Sequence, residues 1–308
     1  MFGFTSIAQS EMEDKLVLTV QVSASTFTWA DTRVSDWDYE FYEISNPTNS
    51  GSGNIVGVGT SNPISFPSDG LYKLKIKPNT TEQFATRYDL KTENDRDKLI
   101  SIDNWGNHPW YPTNQYAFMK CDNLDIIASD CPNFTSHNNN GNLSFFFAED
   151  HQLKNSNGSI GNWQMSQATR IDGFFNQNHM LSSNINIGDW ETSKNTSLKN
   201  FMNGCPFSGS LETRQITKNG RTYVAWDTGE VTNLDFTFSG QNIASSSAHG
   251  GYVGNITNWD TSKVTSMIGT FANIGTTYTR TSSFNQDIST KEVTVLGKGT
   301  YNAWDVSN

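Results

Sequence analysis

Apolar and polar positions alternate in short stretches over the first quarter of the chain. Leu16, Leu18, Val20 and Val22 fall on one parity, as do Tyr72, Leu74 and Ile76, while Lys73, Lys75 and Lys77 take the other. A period of two predicts strands with one buried face. Between them lie Asn46-Pro47, Asn49-Ser50-Gly51-Ser52-Gly53, Asn62-Pro63 and Pro67-Ser68-Asp69-Gly70, turn signals that work through fixed or positive φ. The pattern predicts an N-terminal segment over 1–11, a small antiparallel β-sandwich over 12–82 and a linker over 83–98.

Beyond residue 98 the period of two gives way to a longer repeat keyed to tryptophan. Trp163 is followed by Ala168, Ile171 and Phe175; Trp190 by Asn195, Leu198 and Met202; Trp226 by Val231, Leu234 and Phe238; Trp259 by Val264, Met267 and Phe271. The offsets +5, +8 and +12 are kept in all four copies, threonine recurs at +6 (Thr169, Thr196, Thr232, Thr265), and a further copy opens at Trp304. The Trp-to-Trp spacings of 27, 36, 33 and 45 residues place insertions on one side of each unit. A unit this short cannot bury its apolar positions alone, so neighbours stack and pool them into one core. The repeat region is therefore expected to run from 99 to 308 and to continue beyond it. Two insertions, 215–224 with Asn219-Gly220 and 293–301 with a different glycine-containing turn, read as β-hairpins.

The phrases Asn258-Trp259-Asp260-Thr261-Ser262-Lys263-Val264-Thr265-Ser266-Met267 and Ser283-Phe284-Asn285-Gln286-Asp287-Ile288 resemble the BspA-like surface repeat of mycoplasma lipoprotein type. The stretch Asp97–Gly106 resembles the entry into such repeats, and Gly70-Leu71-Tyr72-Lys73-Leu74-Lys75-Ile76 resembles the last strand of a PKD/Ig-like domain. The Trp-Gly-Asp-Gly turn of PKD domains is absent; Asp36-Trp37-Asp38-Tyr39 stands nearest to it. The resemblance implies an all-β chain: an Ig/PKD-like β-sandwich followed by a leucine-rich-repeat-like right-handed β-solenoid with inserted hairpins. Proteins of this kind serve as bacterial surface adhesins or as fibre proteins of phage and marine viruses.

Composition narrows the function classes. The formal charge of -10 repels polyanions and argues against nucleic acid as a partner. No stretch approaches the roughly 18 apolar residues of a membrane span, and the start has neither a basic n-region nor a signal-length apolar run. A chain without membrane insertion or Sec signal is expected. Cys121, Cys131 and Cys205 form no Cys-x-x-Cys pair and read as small buried hydrophobes.

No residue carries a clear catalytic signal. The carboxylates after each tryptophan, Glu191, Asp227, Asp260 and Asp305, recur with the repeat and are expected to cap turns. A glycosidase pair, with carboxyl groups about 5 to 9.5 Å apart, would break the repeat instead. His108, His137, His151, His179 and His249 show no ligand spacing. Catalytic residues, cofactors and metals are expected to be absent, with calcium at Glu93-Asp95-Asp97 left open. The tryptophans and their +8 and +12 partners (Ile171, Phe175, Leu198, Met202, Leu234, Phe238, Met267, Phe271) are assigned to the core. Tyr223, Tyr252, Tyr278 and Tyr301, on inserted segments, are the candidate contact residues.

These readings converge on a non-enzymatic protein of the virion surface or fibre, with a bacterial cell-surface or extracellular adhesin as the alternative and a polysaccharide-active enzyme as the lesser one. Expected partners are other virion or surface proteins through the N-terminal unit, a host-surface protein or glycan, and further copies of the chain.

Overall fold

The structure is a computed structural model and describes residues 14–30, 36–56, 63–79, 83–135, 138, 140–179, 181, 184–205, 207, 209–240, 254–272 and 286–307. Strand predominates over helix among its regular elements, and the one α-helix described, α1 (Glu93–Arg96), is a single turn. The expectation of an all-β chain holds.

The alternating stretches form the strands that their period demands. In β1 (Leu16–Val22) and β6 (Gly70–Pro78), Leu16, Leu18, Val20, Val22, Tyr72, Leu74 and Ile76 are fully buried. On the opposite face Lys73 meets Asp103 at 2.7 Å, and Lys15 and Lys75 share Glu40 at 2.7 and 3.1 Å. With β3 (Asp36–Glu43), β4 (Ser50–Val56), β7 (Leu99–Asn104) and β8 (Asp125–Ile126) these strands make one six-stranded sheet in the order β4-β3-β6-β1-β7-β8. A short pair, β2 (Thr26–Phe27) and β5 (Ile64–Ser65), contributes Phe27 and Ile64 to the same core.

The sheet crosses the expected domain boundary. Strand β1 pairs antiparallel with β7, β7 pairs parallel with β8, and Asp125 of β8 bridges in parallel to Lys154. The span 83–98 does not behave as a linker: Phe84, Ala85, Thr86 and Tyr88 are buried, and Tyr88 lies between Trp29 and Phe118. Periodicity missed this because the segment mixes charged residues with isolated large ones, and only packing shows that the latter point inward. A single hydrophobic cluster runs from Leu16 to Trp304. The N-terminal sheet thus covers the exposed end of the repeat stack, where unpaired backbone groups would otherwise invite edge pairing.

Within the repeats, regular strand is sparse: β9 (Gly141–Asn142) and β10 (Ala168–Arg170) pair in parallel, and isolated parallel bridges link Arg170, Ser197, Asn233 and Ser266 in turn. The coils are held by a different pattern. Leu198, Asn200, Met202 and Gly204 donate their N–H groups to the carbonyls of Asn233, Asp235, Thr237 and Ser239 in the next coil, at 2.7–3.0 Å. Leu234, Phe236, Phe238 and Gly240 do the same to Ser266, Ile268, Thr270 and Ala272 at 2.8–2.9 Å. Of the residues between, Phe201, Asn203, Thr237 and Ser239 instead donate three residues back within their own coil. Alternate N–H groups therefore go between coils and within them, which satisfies the buried backbone without an extended strand.

The same ladder joins 114–120 to 142–149 and 143–149 to 170–176, so coils that lack the tryptophan signature still belong to the stack. Tight turning is enabled by a left-handed residue at offset +10 from the tryptophan, Gly173, Asn200, Phe236 and Gly269, and at the matching place in the ladder of the earlier coils, Tyr116 and Phe145, with φ between 54° and 62°. At Gly173 a side chain would meet the Phe145 ring, 2.4 Å from an added Cβ, and that ring is already stacked on Tyr116 at 5.2 Å.

Gly173→Val combines a β-branched residue in the left-handed region with an overlap on the Phe145 ring. It is expected to destabilise the fold by about 2–4 kcal/mol. Urea unfolding measures this directly; a change below about 0.5 kcal/mol would show that neither the close approach nor the backbone conformation constrains the site.

Candidate functional site

Each repeat tryptophan from Trp190 onward carries out two tasks that follow from its chemistry. Its ring fills the core: Trp226 stacks on Trp259 at 5.9 Å and Trp259 on Trp304 at 6.2 Å, each pair within 8° of parallel. Its indole N–H, the one polar atom of that ring, donates to a carbonyl of an earlier coil: Trp190 to Ile160, Trp226 to Ile187, Trp259 to Leu211 and Trp304 to Ile256, at 2.7–2.9 Å. The threonine two residues after tryptophan is also buried, and Thr192, Thr228 and Thr261 donate to the carbonyls of Asp227, Asp260 and Asp305 in the next coil at 2.9–3.0 Å.

The two insertions are hairpins of matched design. One is β11 (Arg214–Lys218) with β12 (Arg221–Ala225), the other β13 (Lys291–Val295) with β14 (Gly299–Ala303). At each base a threonine hydroxyl donates to the tryptophan carbonyl that closes the hairpin: Thr213 to Trp226 at 2.6 Å and Thr290 to Trp304 at 2.9 Å. Midway, Tyr223 donates to the carbonyl of Asp189 at 2.8 Å and Tyr301 to that of Asn258 at 2.5 Å. Towards the tip, a lysine reaches across two earlier coils: Lys218 to Asp189 at 3.1 Å and the Gly161 carbonyl at 3.2 Å, Lys298 to Asp260 at 3.1 Å and Asp227 at 2.6 Å. Each hairpin is a clasp laid back over the stack.

The clasp electrostatics are coherent. Burial alone would push the Asp260 carboxyl up, but hydrogen bonds from Ser262 and the Lys298 ammonium outweigh it and hold the group below the ordinary range. Burial would lower Lys298, and its two carboxylate partners raise it instead. Asp227, Asp260 and Asp305 each accept a backbone N–H two residues on, from Gly229, Ser262 and Ser307, at 3.1 Å. Glu191 differs and pairs with Arg221.

Trp163, Ile171, Phe175, Trp190, Leu198, Met202, Trp226, Leu234, Phe238 and Trp259 are buried, and Met267 and Phe271 are partly buried against them. Tyr223 and Tyr301 are half-buried, their hydroxyls engaged and their rings overlaid by Arg221 at 5.1 Å and Lys298 at 4.9 Å. Tyr252 and Tyr278, with His137 and His249, lie outside the described residues. Stacking brings together His151 and His179, ring centroids 5.2 Å apart, the first bonded to Asp122 at 3.0 Å and the second to the Gly204 carbonyl at 3.1 Å. Their sequence separation equals one coil, a signal that offset counting from the tryptophans does not reach. Glu93 and Asp95 sit in the first turn of α1. Among the described residues no group of three or more His, Cys, Asp or Glu is placed to hold a metal ion, and no helix is long and apolar enough to cross a membrane.

One carboxyl has the environment of a general acid without access to a substrate. Asp150 is fully buried; burial raises its pKa well above the ordinary range, and its Oδ1 accepts the Cys121 N–H at 2.5 Å. In the next coil Asn178 occupies the equivalent place and donates to the Phe147 carbonyl at 2.8 Å.

A family model described as "Mycoplasma protein of unknown function, DUF285" matches residues 118–219, 141–241 and 213–308, together more than half of the chain. The chain belongs to this family. The expected kinship with mycoplasma-type repeats holds at that level. The first DUF285 match begins within the coil of residues 114–120 and the last spans both hairpins, so the family region covers the stack and leaves out β1 to β7 of the N-terminal part, with β8 alone of the six-stranded sheet inside it. No curated protein and no solved structure matches the chain.

Two outcomes follow for this DUF285 chain. Because the pKa of Asp150 is raised on folding, its stabilising protonated form is fully present below about pH 4 and is lost as pH rises through the folded value. Asp150→Asn removes that loss: it should be more stable than the parent chain at pH 7 and no more stable near pH 4, read from denaturation midpoints across pH. Equal stability at both pH values would mean that the carboxyl is solvated. Lys298→Met leaves Asp227 and Asp260 facing each other without a cation and is expected to cost about 1–3 kcal/mol. Hydrogen exchange should show faster opening at 291–303 while residues 170–203 stay protected; uniform acceleration across the stack would refute the clasp.

Proposed function

We propose that this chain is a non-enzymatic virion surface or fibre protein that displays a repeat stack and mediates host attachment. On this reading the stacked coils form one right-handed, leucine-rich-repeat-like β-solenoid, and the N-terminal sheet with β2 and β5 is an Ig/PKD-like unit that faces other virion or surface proteins. A host-surface protein or glycan is the distal partner, and further copies of the chain assemble beside it.

The observation that carries this reading is the way the repeated polar groups are used. The buried threonines and the indole N–H groups of Trp190, Trp226, Trp259 and Trp304 are consumed in coil-to-coil bonds, and the aspartates after Trp226, Trp259 and Trp304 in turns of their own coil, which suits a scaffold whose length is its function. Variation is concentrated in the insertions, where recognition is tolerated without disturbing the core. The alternative, a bacterial cell-surface adhesin, draws on the family description, which names Mycoplasma.

Immunogold electron microscopy with antibody to residues 100–308 tests the assignment on phage particles and on uninfected cells. Label on virions is expected. Label confined to the surface of uninfected cells would overturn the virion reading in favour of the adhesin.

A further inference from the structure

The two hairpins are built alike but land on different ground. The second reaches back to the coil of Trp226, which carries the first hairpin, and its tip glycine Gly297 fits against that hairpin's base: an added Cβ would lie 2.5 Å from Gln215 Nε2 and 3.3 Å from Val224. The first reaches back by the same two coils, to the loop of Trp163, where the chain runs directly from Gly161 to Met165 without an insertion. Its tip glycine, Gly220, has nothing within 4 Å of an added Cβ. A cleft remains under this tip where the other hairpin meets protein.

The cleft is lined by Asn162, Gln164, Met165, Glu191, Arg221 and Tyr223. Its charges are matched: Arg221 pairs with Glu191, and Lys218, at the same tip, is bound to Asp189 and the Gly161 carbonyl. Asn162 and Gln164 are exposed and present amide donors and acceptors, the buried Met165 and the half-buried Tyr223 ring add apolar lining, and the Tyr223 ring is held in place by its hydroxyl, which donates to the Asp189 carbonyl at 2.8 Å. Planar polar side chains, a paired cation and anion, and apolar lining match a pyranose, which offers hydroxyls around its rim and C–H groups on its faces.

We propose that this cleft is a binding site for a neutral sugar residue, a hexose or N-acetylhexosamine of a surface glycan. The inference rests on the attachment reading above and assigns it a place. It also accounts for the charge balance: a cleft meant for an acidic sugar would leave a cation unmatched, whereas here both cations are already satisfied.

The test is an array of immobilised neutral hexose and N-acetylhexosamine oligosaccharides, probed with the full chain and with Asn162→Trp. Asn162 is exposed, so the variant plugs the cleft without entering the core, and an unchanged melting temperature verifies that it folds. Binding to at least one oligosaccharide, reduced tenfold or more by Asn162→Trp and unaltered by Lys263→Trp on the exposed row beside Glu230, is the expected result. Binding that Asn162→Trp leaves intact would overturn this site while leaving glycan attachment standing. No binding to any neutral oligosaccharide at millimolar concentration would overturn the sugar assignment, and immunogold labelling of virions would then still report on attachment itself.

Discussion

The structure depends on how each coil divides its backbone N–H groups. One residue donates to the coil ahead and the next donates three residues back within its own coil, as along Asn200–Gly204. This division lets the chain turn tightly while every second N–H ties neighbouring coils together. An unpaired buried amide costs about 1–3 kcal/mol, so a coil that failed to find its neighbour would forfeit several such bonds at once. The stack is cooperative for this reason, and its first coil needs the six-stranded sheet, which supplies β1 as a partner for β7.

Side chains reinforce the same direction. At offset +6, Thr196, Thr232 and Thr265 direct both the backbone N–H and the hydroxyl to the carbonyl of the preceding threonine, at 2.8–3.1 Å. The indoles do likewise from inside the core, and the hairpins from outside it. Three independent sets of donors thus span coil to coil, with the clasps reaching two coils back. The charged groups on the hairpins serve attachment to the stack first, and a cleft stays open beneath the first tip.

Much of this was legible in the residues. Alternation located β1 and β6, the tryptophan offsets located the coils from Trp163 onward, and the Asn219-Gly220 pair located the first hairpin turn, where both residues have positive φ. The turn-capping assignment for Asp227, Asp260 and Asp305 needed only their recurrence, and the backbone N–H groups that they accept agree with it. Other features left no local trace. The coils at 114–120 and 142–149 lack the tryptophan, yet they present Phe118 and Phe147 at the same place in the ladder as Phe175; phenylalanine alone is too common to mark a register. The packed segment 83–98 has the charged residues of a linker, and its isolated large side chains carry no period that marks them as buried.

The sequence by itself determined which residues face inward and how often the unit recurs, since period and offset depend only on the geometry of a chain that must bury one side. It also determined that the two insertions would be hairpins, because turn chemistry is local. Tertiary structure decided everything that depends on which coil lies beside which. The Lys298 contacts to Asp227 and Asp260, the pairing of His151 with His179, the continuity of β1 with β7 and the cleft under Gly220 all join residues that are remote along the chain. Variable insertions break the simple count between them, so only the stacking of the coils brings these groups within reach.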